Sequence, residues 1–512
     1  MTRGSVTRRE LILSTGAMLG GTLLSSQASR AADSPSDKQA MRSADTHGIP
    51  YSDEHWDTPG EPGKEYTPVI TPNGWTLPYK IIDGIKVFHM IAETVSGHEI
   101  APGLVADCWG YNGGVHGPTI EAVEGDRVRI YVTNKLGEPT SVHWHGLYLP
   151  NGMDGVAGLN QKAIQPGETF LYEFTLRQHG SHMYHPHHDE MTQMALGMMG
   201  LFIIHPRKRK EPPIDRDFAY MLSEWRIDPG ARKPNPLEMT DFNVLTLNAR
   251  AFPGTAPMVV KLGERVRIRI GNLSAMDHHS IHLHGYQFKI TETDGGQIPE
   301  SAQWPEITVL VPVGSTRTIE FIANEPGDWA FHCHMTHHVM NQMGHGIPNM
   351  IGVSAKEIDK LVQPLLPEYM TMGKDGMGDM AEMGMRVPPN SIPMVGAKGP
   401  FDYITMGGMF TILKVHPDLT SYEDPGWYKH PEGTIASRAH SEQLHKDGIA
   451  NDGSTAPKAP GDTRKAARVA PSQKKEAAIH EAQDYTCPMH AQVLAKKPGK
   501  CSICGMNLVV KK

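Results

Sequence analysis

Eight histidines come in four pairs, each with one residue between: His143-Trp-His145, His185-Pro-His187, His282-Leu-His284 and His332-Cys-His334. Side chains alternate between the faces of a β-strand, so each pair presents two imidazoles on one side. Eight imidazoles delivered in this way can enclose a cluster of metal ions. The fourth pair differs, because its middle residue is Cys333, whose thiol must point to the opposite face of the same strand. One strand would then touch two metal sites, an arrangement suited to passing electrons into the cluster. His338 and Met343 lie five and ten positions beyond Cys333, and His279 stands just ahead of the third pair. Two imidazoles, a thiolate and a thioether are the donor set of a blue-copper electron-transfer centre.

A second donor set closes the chain. Cys487-Pro-Met-His490 precedes Cys501-Ser-Ile-Cys504, four soft or borderline ligands from two turns, enough for a tetrahedral site. Met489 and Met506 beside the thiolates favour copper, and a structural zinc is the alternative. So short a segment is expected to need its metal in order to fold.

The elements that hold the histidine pairs show themselves as an internal repeat. Val123-Glu-Gly-Asp-Arg-Val-Arg-Ile-Tyr-Val-Thr-Asn134 matches Lys261-Leu-Gly-Glu-Arg-Val-Arg-Ile-Arg-Ile-Gly-Asn272, and both alternate apolar with polar residues as half-buried strands do. Each is followed by an H-x-H-Gly, at His143–Gly146 and His282–Gly285. Gly167 precedes His185, and Gly314 precedes His332, by the same eighteen residues. Two copies of one all-β unit are expected, at 66–205 and 206–355, each of β-sandwich size. Pro186 stands in the first copy where Cys333 stands in the second. Proline offers no ligand atom, so only the second copy should carry a blue-copper site.

Beyond 355 the composition changes. Glu357–Met370 reads as a short helix. Met370, Met372, Met377, Met380, Met383, Met385 and Met394 then crowd an extension at 356–431, among glycines that exclude a core helix. Such a loop suits capture of soft Cu(I), with gap-filling methionine as the plainer reading. Residues 432–484 are rich in Ala, Lys, Pro, Ser and Gly, the composition of a disordered linker, and 485–512 form the terminal metal module.

The 512 residues include 28 histidines and 29 methionines, and the net charge of −7 carries no nucleic-acid footprint. The five cysteines read as metal ligands plus one spare, Cys108, expected to be an inert buried thiol. Residues 1–32 read as a targeting segment: Thr7-Arg-Arg-Glu-Leu-Ile-Leu13 resembles a twin-arginine signal, followed by a short apolar stretch and small residues at 28–32. Export of the folded, metal-loaded protein to the periplasm follows. No segment reads as membrane-spanning.

The histidine pairs together with the Cys333, His338 and Met343 spacing resemble the multicopper oxidases, specifically the two-domain, laccase-like copper oxidases associated with bacterial copper tolerance, over residues 66–355. The tail resembles the heavy-metal-binding domain appended to copper-efflux and copper-resistance proteins. The resemblance implies two tandem cupredoxin-type Greek-key β-sandwiches and four copper ions. Type 1 copper would take His279, Cys333, His338 and axial Met343, and type 2 copper His143 and His282. One type 3 copper would take His145, His185 and His334, and the other His187, His284 and His332. It further implies dioxygen as oxidant, Cu(I) or phenols as one-electron donors, and a homotrimer in which domains of neighbouring subunits share the clusters. Asp154 would help deliver protons. Many metal-oxidising relatives carry an acid directly after the second blue-copper histidine, where this chain has Val339; Asp189 and Glu190 are candidate substitutes. The neighbouring histidines His182, His188, His278 and His337 read as supporting or solvent-facing. Two other functions fit parts of the pattern: a two-domain copper nitrite reductase, which lacks the full set of eight histidines, and a copper-sequestering protein without turnover, which leaves Cys333 unexplained.

Overall fold

The computed structural model describes residues 58–208, 212–228, 230–341, 389–392, 396–457, 485–490 and 492–510, with isolated positions between 342 and 388. The leader, the axial Met343, the methionine run and nearly all of the helix expected at 357–370 lie outside the described residues. The chain divides into two units, Met1–His430 and Pro431–Lys512.

The first unit holds two β-sandwiches. In the first sandwich one sheet orders Tyr79–Ile82, Ile85–Ala101, Arg127–Asn134 and Thr169–Thr175, with Leu104–Tyr111 on the long second strand. The facing sheet orders Ile120–Val123, Gly200–His205, Gly180–His185 and His143–His145. Sheet neighbours out of chain order are what Greek-key connections produce. Arg127–Asn134 buries every second residue, and Val128, Ile130 and Val132 pack with Phe88, Trp144, Tyr172, Phe174, Tyr184 and Phe202.

The second sandwich repeats the plan. One sheet runs through Val69–Ile70, Arg216–Trp225, Arg265–Asn272, Ser315–Ile322, Phe288–Thr293 and Gly296–Gln297. The other orders Met258–Lys261, Phe410–His416, Gly327–Cys333, His279–Leu283 and Thr308–Val311. Two strands cross the boundaries expected from sequence. Val69–Ile70, assigned to the first copy, pairs in parallel with Asp217–Phe218. Phe410–His416, assigned to the methionine-rich extension, pairs antiparallel with the cysteine-bearing strand and in parallel with Met258–Lys261. The methionine stretch is thus inserted within the second sandwich rather than appended to it. Its ends are stitched together: Gly407 N donates to Val339 O (2.7 Å), Gly408 N to Asn341 Oδ1 (2.6 Å) and Met409 N to His338 O (3.0 Å).

The repeated strand is altered where the sandwiches meet. Arg265–Asn272 starts with the alternation of its partner but ends in five consecutive buried residues. Gly271 replaces the Thr133 of the first copy because a Cβ there would come 2.9 Å from Met183 Sδ and 3.1 Å from Leu201 of the first sandwich. Beside it, buried Arg269 forks onto Asp217 (2.8 and 2.9 Å) and reaches Ser181 Oγ of the first sandwich (2.8 Å) and Glu292 (3.3 Å). Burial alone would raise the Glu292 pKa, but Arg269, Arg267 and a hydrogen bond from Thr318 together hold it down at about 2.

In the second unit, the stretch expected to be a linker contains a short exposed helix, Ser441–Lys446; residues 458–484 lie outside the described residues. The end of the chain is a small antiparallel sheet of Tyr485–Thr486, Leu494–Ala495 and Val509–Val510.

Candidate metal centres

Three donor clusters form, each where strand alternation and a short turn converge. The first lies on the Cys333 strand. Cys333 Sγ sits 3.7 Å from His279 Nδ1 and 3.5 Å from His338 Nδ1, and the two Nδ1 atoms are 3.2 Å apart. His279 is carried by His279–Leu283, the antiparallel neighbour of the Cys333 strand, and His338 by a single 3₁₀ turn, Thr336–Val339. Each imidazole is turned inward by a partner on its other nitrogen: Ser274 Oγ lies 2.7 Å from His279 Nε2, and Asp277 Oδ2 lies 3.4 Å from His338 Nε2. Such outer contacts fix which nitrogen a metal ligand presents.

The 274–277 loop that supplies both partners is itself pinned. Asn272 donates to Asp277 O and Val311 O and accepts from Ser274 N. Asn134 makes the equivalent bonds in the first copy, to Glu138 O, Ile164 O and from Leu136 N. The shared final Asn of the repeat was the available signal for this loop; Ser274 and Asp277 themselves were not recognised from sequence. Behind them, buried Glu224 accepts from Met276 N (2.6 Å).

The eight paired histidines form two quartets. In the first sandwich His143, His145 and His185 converge, with the His187 ring 5.6 Å from that of His143. In the second, His282, His284, His332 and His334 have ring centroids 4.7–5.6 Å apart. Among the described residues no ring contact joins one quartet to the other, and His332 also packs its ring on Phe410. The orienting bonds repeat between copies. His143 Nδ1 donates to Asp154 O (2.8 Å) and His282 Nδ1 to Ile307 O (2.7 Å). His185 Nδ1 donates to Pro186 O (2.9 Å) and His332 Nδ1 to Cys333 O (2.8 Å). The Nε2 lone pairs of His185 and His332 therefore face His145 Nδ1 at 3.2 Å and His284 Nε2 at 3.1 Å. Each of these contacts is an N–H···N hydrogen bond when the partner nitrogen carries its proton, and a metal ion replacing that proton would be held by both rings. Burial pushes His185 down to about 3 and His332 to about 4, keeping both neutral. Burial likewise holds His279 near 3 and pushes the Cys333 thiol up to about 11, so a cation is needed to ionise that sulfur at neutral pH. The donor sets fit soft or borderline metal ions.

Asp154 stands beside its histidine, but its main-chain oxygen makes the hydrogen bond and its carboxylate lies 3.5 Å away. Of the two acids expected as substitutes for Val339, Glu190 approaches His185 Nδ1 (3.3 Å) and His187 Nε2 (3.7 Å), while Asp189 stands just ahead of the helix Glu190–Ala195 and makes no side-chain capping bond to it. His278 accepts from Val313 N, and His182 is buried against Gly146 and Gly295. Cys108 is buried and its thiol is pushed up to about 12, as expected of an inert residue.

The third cluster is in the second unit. Cys487 Sγ is 3.8 Å from His490 Nδ1 and 3.6 Å from Cys504 Sγ, and Cys501 Sγ is 3.8 Å from the same imidazole. All four predicted ligands meet.

Two sandwiches, one carrying a buried Cys-His-His set back to back with a histidine quartet, define a copper-protein architecture of the cupredoxin kind. Comparison with known families agrees. Residues 94–209 and 228–351 each match a multicopper oxidase model, and residues 485–511 match the heavy metal binding domain. Both sandwiches are thus multicopper oxidase domains, and the tail is a heavy metal binding domain. The chain is 30% identical over 233 residues to copper resistance protein A of Escherichia coli, covering 36% of this chain and 38% of that protein. It is 28% identical over 268 residues to a copper resistance protein A homolog of Pseudomonas syringae pv. tomato, covering 43% and 44%. Among solved structures, the multicopper oxidase mgLAC matches at 26% identity over 67% of this chain and 91% of its own, with a TM-score of 0.49. The chain spans less than half the length of the two curated relatives.

Proposed function

We propose that this chain is a copper-dependent oxidase of copper tolerance. It couples one-electron oxidation of Cu(I), or of phenolic donors, to four-electron reduction of dioxygen to water. One observation carries the reading: Cys333 faces His279 and His338, while its chain neighbours His332 and His334 face the second quartet. A few covalent bonds therefore join the two donor sets. His279, Cys333 and His338, with Met343, would hold type 1 copper. His143 and His282 would hold type 2. His145, His185 and His334 would hold one type 3 ion, and His187, His284 and His332 the other. Copper bound there supplies single-electron uptake on one side and dioxygen reduction on the other.

The chain's own residues do the rest. Asp277, partly exposed and touching the outer nitrogen of His338, gives a cationic or phenolic donor a place to meet the electron-entry ligand. Asp154 at His143 and Glu190 at His185 and His187 set carboxylates beside the oxygen-reducing side, where four protons are consumed for each dioxygen.

His284 and His334 are exposed to solvent. Covering them with the His143 quartet of another copy would complete the cluster, which supports a homotrimer. Export to the periplasm follows from the leader, and among the described residues no helix is long and apolar enough to cross a membrane. The terminal cluster would hold one further Cu or Zn ion.

Oxygen uptake by the copper-loaded protein tests the reading, with Cu(I) and a phenol offered separately. The wild type should consume oxygen, and Cys333→Ser should lose both its blue absorption and its turnover. Uptake unaffected by that substitution, or none with either donor, discards the proposal.

A further inference from the structure

The terminal four-ligand cup is open on one side. Four protein ligands close a structural tetrahedral site, and ligand exchange at such a site needs a donor that an incoming ligand can reach from solvent. Here Cys487 and Cys501 are 1% and 3% exposed, but Cys504 faces solvent. Around it the two ligand turns present apolar side chains to water: Met489 at 72%, Ile503 at 57% and Met506 at 46% exposure. Met489 sits between Cys487 and His490. Met506 is held at the rim by its backbone, since its carbonyl accepts from Cys501 N (2.8 Å) and its N–H points to the Cys504 sulfur. A large apolar side chain kept in water forgoes the free energy of burial, and exposed apolar groups gathered in one place mark contact surfaces. A thioether is a soft, neutral donor that suits Cu(I) and adds little for zinc.

We propose that the module is a Cu(I) exchange site, in which the thioethers of Met489 and Met506 accept the ion from, and pass it to, sulfur-donor carriers. The proposal rests on reading the tail as a soft-metal site. In each transfer a bond from the incoming sulfur to copper forms before one to Cys504 or His490 breaks. Copper stays cuprous, and no electron is exchanged. Cys487 and Cys501, shielded from solvent, hold the ion while the exposed side is handed over.

The test uses the full chain with its oxidase sites already loaded, kept free of oxygen. Cu(I)–glutathione serves as donor and a chromogenic Cu(I) chelator as acceptor. Wild type, Met489→Leu/Met506→Leu and Cys487→Ser/Cys501→Ser are compared. The wild type should take up one more Cu(I) than the serine variant. The leucine variant should retain that ion with unchanged affinity but exchange it severalfold more slowly in both directions. Equal exchange rates in wild type and leucine variant overturn the thioether role while leaving the site intact. No additional Cu(I) in the wild type overturns the soft-metal reading beneath it, as does bound zinc that Cu(I) cannot displace.

Discussion

At the scale of single residues, what matters is which atom each side chain is made to present. Ser274, Asp277, the Asp154 carbonyl and the Pro186 and Cys333 carbonyls hold the outer nitrogens and so aim the inner ones. The clustering of these donors was legible in the sequence because H-x-H and Cys-x₄-His are spacings that strand alternation and one turn convert directly into proximity. Their orienting partners were not, since most are main-chain oxygens, which any residue supplies. Buried charge offers a sharper check. Glu292 is held at about 2, below the ordinary carboxylate value of 4.5, so its contribution to stability is complete above pH 4.5 and drains away as pH falls toward 2. Glu292→Gln, which leaves Arg269 short of a partner, should cost about 3–5 kcal/mol near neutrality. In thermal unfolding of metal-free protein, the gap between wild type and variant should close between pH 4.5 and 2; a gap that persists to pH 2 contradicts the ion-pair account.

At the scale of elements, the repeated strand was readable as a pattern, yet its two copies serve different surroundings. Arg127–Asn134 lines one core, while the second half of Arg265–Asn272 is clamped between its own sandwich and the first. Local alternation shows burial on one face; it does not show that another sandwich lies against the opposite face. Restoring the residue of the first copy, Gly271→Thr, should therefore overpack Met183 and Leu201 and cost about 1–3 kcal/mol, read from urea unfolding. The reverse substitution, Thr133→Gly, meets no second sandwich and should show no comparable response to trimming Met183. The strand Phe410–His416 was missed as part of the second sandwich because the stretch before it breaks every periodicity that could have linked it to the core.

At the scale of the whole molecule, a single chain carries two histidine quartets that, among the described residues, no ring contact joins. Mixing two inactive variants tests whether neighbouring copies join them. His145→Ala/His185→Ala disables one half and His284→Ala/His332→Ala the other. When the two are co-expressed, random assembly of sites shared between copies should rebuild about a quarter of the clusters. Activity and cluster copper returning to near that level support shared sites, and none returning places each cluster within one chain.

The stitched ends of the methionine stretch have one more consequence. Because Val339 and Asn341 hold Gly407 and Gly408 directly, and the strand that follows is zipped between two others, continuity of the backbone across the insert is not what keeps the final strand in place. A chain severed at an engineered protease site between 366 and 388 should run as two bands in denaturing gels and as one species in native ones. Separation of the pieces under native conditions would show that the connection, and not the lateral bonding, carries the load.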